Sequence, residues 1–291
     1  MLAPRLLALD IDGTLLRDDG TISARTVRAL GAARDRGLLL SAATGRPWPA
    51  TSRIVAEVGG MDYAVCLNGT VVMDARTDTI VDTNEMTVAQ ACDTARLARE
   101  HLPTVRLAAD LADGRHLWDH DFDTQMPMAI DVERVDCAEE AVAACGVPVL
   151  TWLLELEVAG GRRRPFTAEL RDAERIIDAL DGRLDPALDV HHSGIGPAEV
   201  SLLGISKATG LASVAERHGI SPAEVMAIGD GYNDVEMLGW AGISVAMGNA
   251  PAEVQGAAEF VALSNADDGA AVFVEGLLAR SAMGDTPAAA G

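Results

Sequence analysis

Two carboxylates two residues apart, Asp10 and Asp12, follow the apolar run Leu6-Leu7-Ala8-Leu9 and lead into Gly13-Thr14. A short apolar run has the length of one buried strand, so the pair falls where a strand ends and a glycine turn begins. In open α/β sheets that edge, outside the carboxyl ends of the strands, is where ligands bind. One carboxylate there could hold a metal or attack an electrophile, and the other could move protons. A plain acidic turn has the same composition, so the pentapeptide alone does not decide.

Three further clusters have the same form. Leu38-Leu39-Leu40-Ser41-Ala42-Ala43 runs into Thr44-Gly45-Arg46, a hydroxyl, a free backbone and a guanidinium at a strand end. Hydroxyl and backbone N–H groups suit phosphate oxygens, and Arg46 could grip an anion as a fork. Val225-Met226-Ala227-Ile228 ends in Gly229-Asp230, followed by Asn233-Asp234. Carboxylates so placed are hard ligands for Mg²⁺. Lys207 follows Ser206, which reads as a helix N-cap with the stripe Leu211, Val214, Ala215 beyond it. It is the chain's only lysine, the other 22 of the 23 basic residues being arginine. A cation in a first helical turn opposes the helix dipole, so a compact ammonium kept there suggests a task arginine cannot do. Parallel strands would bring all four clusters to one edge of one sheet.

In order and content, Asp10-x-Asp12-Gly13-Thr14, Thr44-Gly45-Arg46, Lys207 and Gly229-Asp230-x-x-Asn233-Asp234 resemble the four motifs of the haloacid dehalogenase superfamily. Asn68-Gly69, Met247-Gly248-Asn249-Ala250 and Asn265-Ala266-Asp267-Asp268-Gly269 resemble its Cof-type phosphatases, which carry a large type IIB cap. The likeness is dense over 5–84 and 195–280 and weak between. It implies an α/β fold: a Rossmann-like parallel-sheet core with an inserted α+β cap. It also implies hydrolysis of small phosphate monoesters, such as a sugar phosphate, through an aspartyl phosphate. Asp10 would be the nucleophile and Asp12 the general acid and base. Thr44, Gly45, Lys207 and Asn233 would bind the phosphate. Mg²⁺ would sit on Asp10, the Asp12 carbonyl and Asp230, with Asp234 orienting a metal-bound water. A sugar-phosphate mutase and a non-catalytic phosphometabolite-binding module are the alternatives. Among relatives in chemistry, Ile11 stands where P-type ATPases have lysine, and Asp12 is the acid that dehalogenases lack. The cap lysine of phosphonatases has no counterpart here.

Composition narrows the partners. The formal charge of −21 argues against nucleic acid and anionic membranes, both of which call for basic patches. The expected partner is a small phosphorylated metabolite, met by local cations. No apolar run approaches the about 18 residues of a membrane span, and no basic segment followed by an apolar one opens the chain. Cys66, Cys92, Cys137 and Cys145 lack metal-ligand spacing and read as reduced thiols of a cytoplasmic protein. The sequence carries no signal for oligomeric state.

The elements that must position these groups follow from periodicity. Strands and helices alternate over 1–84, with Ser23 capping a helix that ends at Gly37 and a hairpin over 71–81. Alternation resumes from about 200, and 1–84 with 193–281 is read as the core. Residues 85–192 form the cap: a helix from Thr87 to His101, strands near 105–108 and 116–118, a strand over 148–158, a helix over 169–180 and a last strand at 190–192. His191-His192 is read as structural, since neighbours in a strand face opposite sides. Gly160 to Pro165 is read as a solvated loop. Hinges are expected near 83–86 and 193–199, and 282–291 as a disordered tail.

Overall fold

The computed structural model describes residues 4–122, 130–157, 166–192 and 196–284. The chain begins β1 (Leu6–Leu9), α1 (Ala24–Asp35), β2 (Leu39–Ala43), α2 (Trp48–Glu57), β3 (Tyr63–Cys66), β4 (Val71–Asp74) and β5 (Thr79–Thr83). It continues with α3 (Val88–His101), β6 (Val105–Leu111), β7 (His116–Asp119), β8 (Glu133–Val135), α4 (Ala138–Cys145), β9 (Val149–Leu156), α5 (Phe166–Leu180), β10 (Leu188–His191) and β11 (Ala198–Leu202). It closes with α6 (Lys207–Arg217), β12 (Val225–Gly229), α7 (Val235–Trp240), β13 (Ile243–Ala246), α8 (Ala252–Gly256), β14 (Phe260–Val261) and α9 (Gly269–Gly284).

The strands form two sheets. The first has the order β14-β13-β12-β1-β2-β3-β4-β5, parallel as far as β3, with the β4–β5 hairpin added antiparallel. Its central strands are apolar on both faces because helices cover both. Leu7, Leu9, Leu40 and Ile228 pack on α1, α2 and α9 through Leu30, Ile54 and Val274. Leu6, Ala8, Val65 and Ala227 pack on α6 and α7 through Leu211, Val214 and Met237. Each wholly buried leucine contributes about 1.5–3 kcal/mol. Gly210 lets α6 lie close, since a Cβ there would come 2.5 Å from Val65.

The second sheet has the order β10-β11-β9-β6-β7-β8. One face is covered by α3, α4 and α5, through Ala91, Ala95, Val142, Ala173 and Ile176 against Leu107, Ala109, Trp152 and Leu154. Helix α3 starts with a reciprocal box in which Thr87 Oγ1 accepts from the Gln90 N–H and Gln90 Oε1 accepts from the Thr87 N–H. Among the described residues, the other face carries no helix and a small cluster, Ala108, Trp118, Phe122 and Leu153.

The chain crosses from the first sheet to the second within Asn84–Glu85, since β5 ends at Thr83 and Met86 already bridges Val149. The return crossing corrects the expected boundary. Strand β11 pairs with β9 and β10, so 198–202 belong to the cap sheet, and the chain leaves it through Leu203–Ser206 rather than at 193–199. Its pattern Ala-Glu-Val-Ser-Leu alternates polar with apolar, and adjacency to Lys207 masked its sheet membership. Strand β10 is therefore not the last of the cap. Strand β8 and helix α4 were not legible as elements. At the other end, α9 runs to Gly284, so 282–284 are helical, and 285–291 lie outside the described residues, as do Gly160–Pro165. Among the described residues, no helix is long and apolar enough to cross a membrane.

Candidate active site

Four chain segments leave the carboxyl ends of adjacent parallel strands and converge. Asp10 follows β1, Thr44 follows β2, Asn68 follows β3 and Asp230 follows β12. Lys207 arrives from α6, and it is 1% exposed. Its Nζ donates to Asp10 Oδ1 at 2.6 Å and to Asp234 Oδ1 at 2.6 Å. Burial alone would push this lysine down, but the charges of Asp10 and Asp234 outweigh it and hold the ammonium protonated. A short ammonium reaching two carboxylates from a first helical turn is the task for which the chain keeps its one lysine.

Ser206 is the N-cap residue of α6, as its place before Lys207 predicts, but its side chain makes no cap bond. Its hydroxyl is buried without a partner, and Thr209 Oγ1 instead accepts from the Ser206 N–H at 3.0 Å. The start of α6 is held from the other side by Gly69, at φ +104, where a Cβ would lie 2.0 Å from the Ser206 carbonyl oxygen. Only glycine permits that approach and that φ.

Asp10, Asp230 and Asp234 bring one carboxylate oxygen each within 4.8 Å of one another. Asp234 is fully engaged. Its Oδ1 meets Lys207, while its Oδ2 accepts from the Asp230 and Gly231 N–H groups at 2.8 Å each. It therefore fixes the lysine and the turn carrying Asp230. Asp230 accepts from Thr14 Oγ1 at 2.8 Å and from Asn249 Nδ2 at 3.3 Å. Gly13, at φ +78, leaves the space this carboxylate fills, since a Cβ would fall 2.1 Å from Asp230 Oδ2.

Electrostatically the cluster holds more negative than positive charge. Burial, then the charge of Asp234, raises Asp10 well above the usual carboxylate range despite Lys207. Burial likewise raises Asp230 to about 6, opposed by the Thr14 hydrogen bond. Such a set fits a divalent cation: hard oxygen donors, close together, with one ammonium too few to balance them. Asp10 and Asp230 have carboxylates to offer it, and the Asp12 carbonyl lies in the same turn.

Arg46 does grip an anion as a fork, and that anion is Asp12. Nε donates to Oδ2 at 2.7 Å and Nη2 to Oδ1 at 2.5 Å. The hydrogen bonds and charge of Asp12 raise the guanidinium further. Thr44 Oγ1 accepts from the Arg46 N–H at 3.1 Å, which shapes the loop around Gly45.

Asn68 and Glu199 are site residues that sequence reasoning did not assign. Asn68 sits in the left-handed region at φ 52, and its Oδ1 accepts from Asn233 Nδ2 at 2.9 Å. Its Nδ2 donates to Glu199 Oε2, on β11, at 2.9 Å. A Cβ on Gly45 would come 3.3 Å from the same amide. The Asn68-Gly69 dipeptide was a legible signal for a left-handed turn; Glu199 had none. Thr44, Gly45 and Asn233 thus gather round Asn68, while Lys207 joins Asp10 to Asp234.

The chain matches the haloacid dehalogenase-like hydrolase family over residues 7–274. It is 26% identical over 272 residues to the 5-amino-6-(5-phospho-D-ribitylamino)uracil phosphatase YcsE of Bacillus subtilis, covering 92% of this chain and 93% of that one. It is 31% identical to a phosphoglycolate phosphatase of Natronomonas pharaonis, covering 95% and 97%. A subclass IIB sugar phosphatase of the superfamily superposes with a TM-score of 0.74 at 22% identity, covering 94% of this chain and 99% of that one, which supports the shared core-and-cap fold. With the family matched over nearly the whole core and cap, the chain belongs to the haloacid dehalogenase-like hydrolases.

Proposed function

We propose that the protein hydrolyses phosphate monoesters of small metabolites through a covalent phospho-Asp10 intermediate. The observation that carries this reading is Lys207 Nζ held 2.6 Å from both Asp10 and Asp234, with Asp12 in the turn directly after Asp10. A buried ammonium on the carboxylate after β1 keeps that group oriented and leaves one N–H of Lys207 for an incoming phosphoryl oxygen. The Gly45 backbone, the Thr44 hydroxyl and the Asn233 amide supply neutral donors beside it. Positioning and charge neutralisation make up most of what a protein contributes to phosphoryl transfer.

In the first step Asp10 attacks phosphorus, and Asp12 gives a proton to the departing ester oxygen. In the second, Asp12 takes a proton from the water that attacks phospho-Asp10, releasing phosphate and restoring the carboxylate. The Arg46 fork holds the Asp12 carboxylate in place beside Asp10 through two hydrogen bonds. Mg²⁺ suits the Asp10 and Asp230 carboxylates and the Asp12 carbonyl, where it would neutralise charge on the phosphoryl group. The cap restricts entry of water and selects the leaving group.

The test is phosphate release from a panel of phosphorylated metabolites, with Mg²⁺ and with EDTA, beside Asp10→Asn. Release confined to wild type with Mg²⁺ supports the reading. Release that persists in folded Asp10→Asn removes Asp10 as nucleophile. No release from wild type, with phosphoryl transfer to a sugar phosphate in the presence of a bisphosphate, would favour the mutase.

A further inference from the structure

Glu199 puts a carboxylate close to groups that are to receive an anion. It is 8% exposed and stands on β11 of the cap sheet, whereas Asn68 and Asn233 belong to the core. Its charge repels a phosphoryl group, and a glutamine there would dock the cap on Asn68 just as well. A carboxylate differs from a side-chain amide in a second respect: it accepts hydrogen bonds and cannot donate them.

The three side chains form a relay with a direction. Asn68 Nδ2 donates to Glu199 Oε2 at 2.9 Å, and Asn68 Oδ1 accepts from Asn233 Nδ2 at 2.9 Å. A side-chain amide keeps nearly the same shape when turned over, so packing alone hardly tells its oxygen from its nitrogen. An acceptor-only end does tell them apart. Glu199 must receive an N–H of Asn68, so Asn68 Oδ1 points the other way and must receive an N–H of Asn233. The second N–H of Asn233 Nδ2 is then left for a phosphoryl oxygen. Run in reverse, the relay would set Asn68 Oδ1 against the Glu199 carboxylate and turn a lone pair of Asn233 Oδ1 towards the phosphate. Asn68 is fixed for this part. Its backbone N–H donates to the Thr44 carbonyl at 3.0 Å, its φ is 52, and a Cβ on Gly45 would come 3.3 Å from both polar atoms of its amide. His191 Nε2, at 3.9 Å from Glu199 Oε2, is too distant to set the direction.

Resting on the phosphatase reading above, we propose that Glu199 is a positioning residue for phosphate binding: from the cap, it fixes the direction of the Asn68 and Asn233 amides so that Asn233 offers an N–H to the phosphate. The core site is then complete when the cap is docked, because the group that sets the direction comes from β11. The rival account makes the Glu199–Asn68 bond a latch that holds the cap and does nothing more.

Glu199→Gln separates the two, since it keeps the size and the hydrogen bond but lets the relay run either way. NMR of the side-chain amides in protein labelled with ¹⁵N-asparagine reads Asn233 directly, its pair of signals being assigned by their loss in Asn233→Asp. Calorimetry with inorganic phosphate in Mg²⁺ reads the consequence. Wild type should show one sharp Asn233 pair, and Glu199→Gln a doubled or broadened one. Phosphate affinity should fall with the fraction of molecules in the competent direction, about twofold where both are equally populated. Loss of a negative charge beside an anion would by itself tighten binding, so the sign is diagnostic. Glu199→Gln/Asn68→Asp moves the acceptor-only group one place along: the introduced glutamine donates to the introduced aspartate, which accepts from Asn233. That double variant should restore a single Asn233 pair. An Asn233 pair unchanged by Glu199→Gln, phosphate bound by that variant as tightly as by wild type or more so, or no restoration in the double variant overturns the proposal and leaves the latch, even where wild type releases phosphate from esters. An Asn233 pair that responds to the three proteins as described, in a wild type that releases no phosphate from any ester, counts against the phosphatase reading alone, because the direction is then set from Glu199.

Discussion

Replacing Lys207 with methionine removes one charge and little volume from a site that is 1% exposed. Nζ lies 2.6 Å from an oxygen of each of two carboxylates. At an effective dielectric of about 20 each contact is worth roughly 6 kcal/mol of Coulomb energy before desolvation. Most of that sum is cancelled by the cost of burying the ammonium. What the variant loses is set instead by the two buried carboxylates it leaves facing each other, about 3–5 kcal/mol for breaking a buried pair. That is a large part of the about 5–15 kcal/mol typical of a folded protein. Urea unfolding in EDTA, followed by hydrogen exchange at β1 and β12 so that core and cap are read separately, should show this loss in the core. Lys207→Met/Asp10→Asn, which removes one of the stranded charges, should recover at least about 1.5 kcal/mol. Mg²⁺ should stabilise Lys207→Met detectably, since a cation replaces a cation. A loss under about 1 kcal/mol with no recovery in the double variant would refute the view that Lys207 balances this cluster.

Other consequences are sharper in direction than in size. Gly13→Ala puts a Cβ 2.1 Å from Asp230 Oδ2 at φ +78, so the shift in Tm on adding Mg²⁺ should shrink or vanish, with about 1–3 kcal/mol of strain in the apo form. Gly69→Ala, 2.0 Å from the Ser206 carbonyl, should displace α6 and with it Lys207, lowering phosphate release well over tenfold while leaving cap exchange rates as they are. In the cap, His116 Nδ1 donates to Asp110 with both groups buried. Burial pushes the imidazole down, but the hydrogen bond and charge of Asp110 prevail and raise it above 6.5. A histidine raised on folding stabilises fully below its unfolded pKa, and that contribution is lost as pH rises through the folded one. Cap stability, read by exchange in β6 and β7, should therefore fall as pH rises from about 6.5, and Asp110→Asn should abolish the step. Cys66 is buried and its thiol is pushed up to about 12, so in the native protein it should resist alkylation that reaches Cys92.

The edge where these groups converge was legible because each of its parts is local. An apolar strand followed by Asp10, by Thr44 or by Asp230 is visible without knowing what pairs with what, and parallel pairing then brings the ends together. Lys207 stood out by composition. The contacts that cross between segments were not legible. Arg46 could be seen as an anion-gripping fork, yet that the anion is Asp12, 34 residues away, depends on how β1 and β2 pack. Glu199 shows no pattern of its own, and its meeting with Asn68 across 131 residues requires the cap to fold over the core. The cap boundary was misplaced for the same reason: β11 is defined by its partners β9 and β10, whereas its sequence leads directly into the core motif at Lys207. Ser206 is the N-cap that its place suggested, but its hydroxyl makes no cap bond, and the helix end is held by Thr209 and the approach of Gly69.

Covalent participation of Asp10 can be read by trapping the intermediate. In ¹⁸O-labelled water, hydrolysis of phospho-Asp10 at phosphorus puts the label in phosphate and leaves both carboxylate oxygens of Asp10 unlabelled, whereas attack at the carboxyl carbon would label Asp10. Acid quenching in the steady state, followed by digestion and mass spectrometry, traps a peptide containing Asp10 heavier by one phosphoryl group. The reading predicts that phosphorylated peptide, absent from Asp10→Asn and from EDTA-treated enzyme. An active, Mg²⁺-supplied wild type that yields only unmodified peptide through a single-turnover time course, with the phosphoryl group going to water in one step, would contradict it.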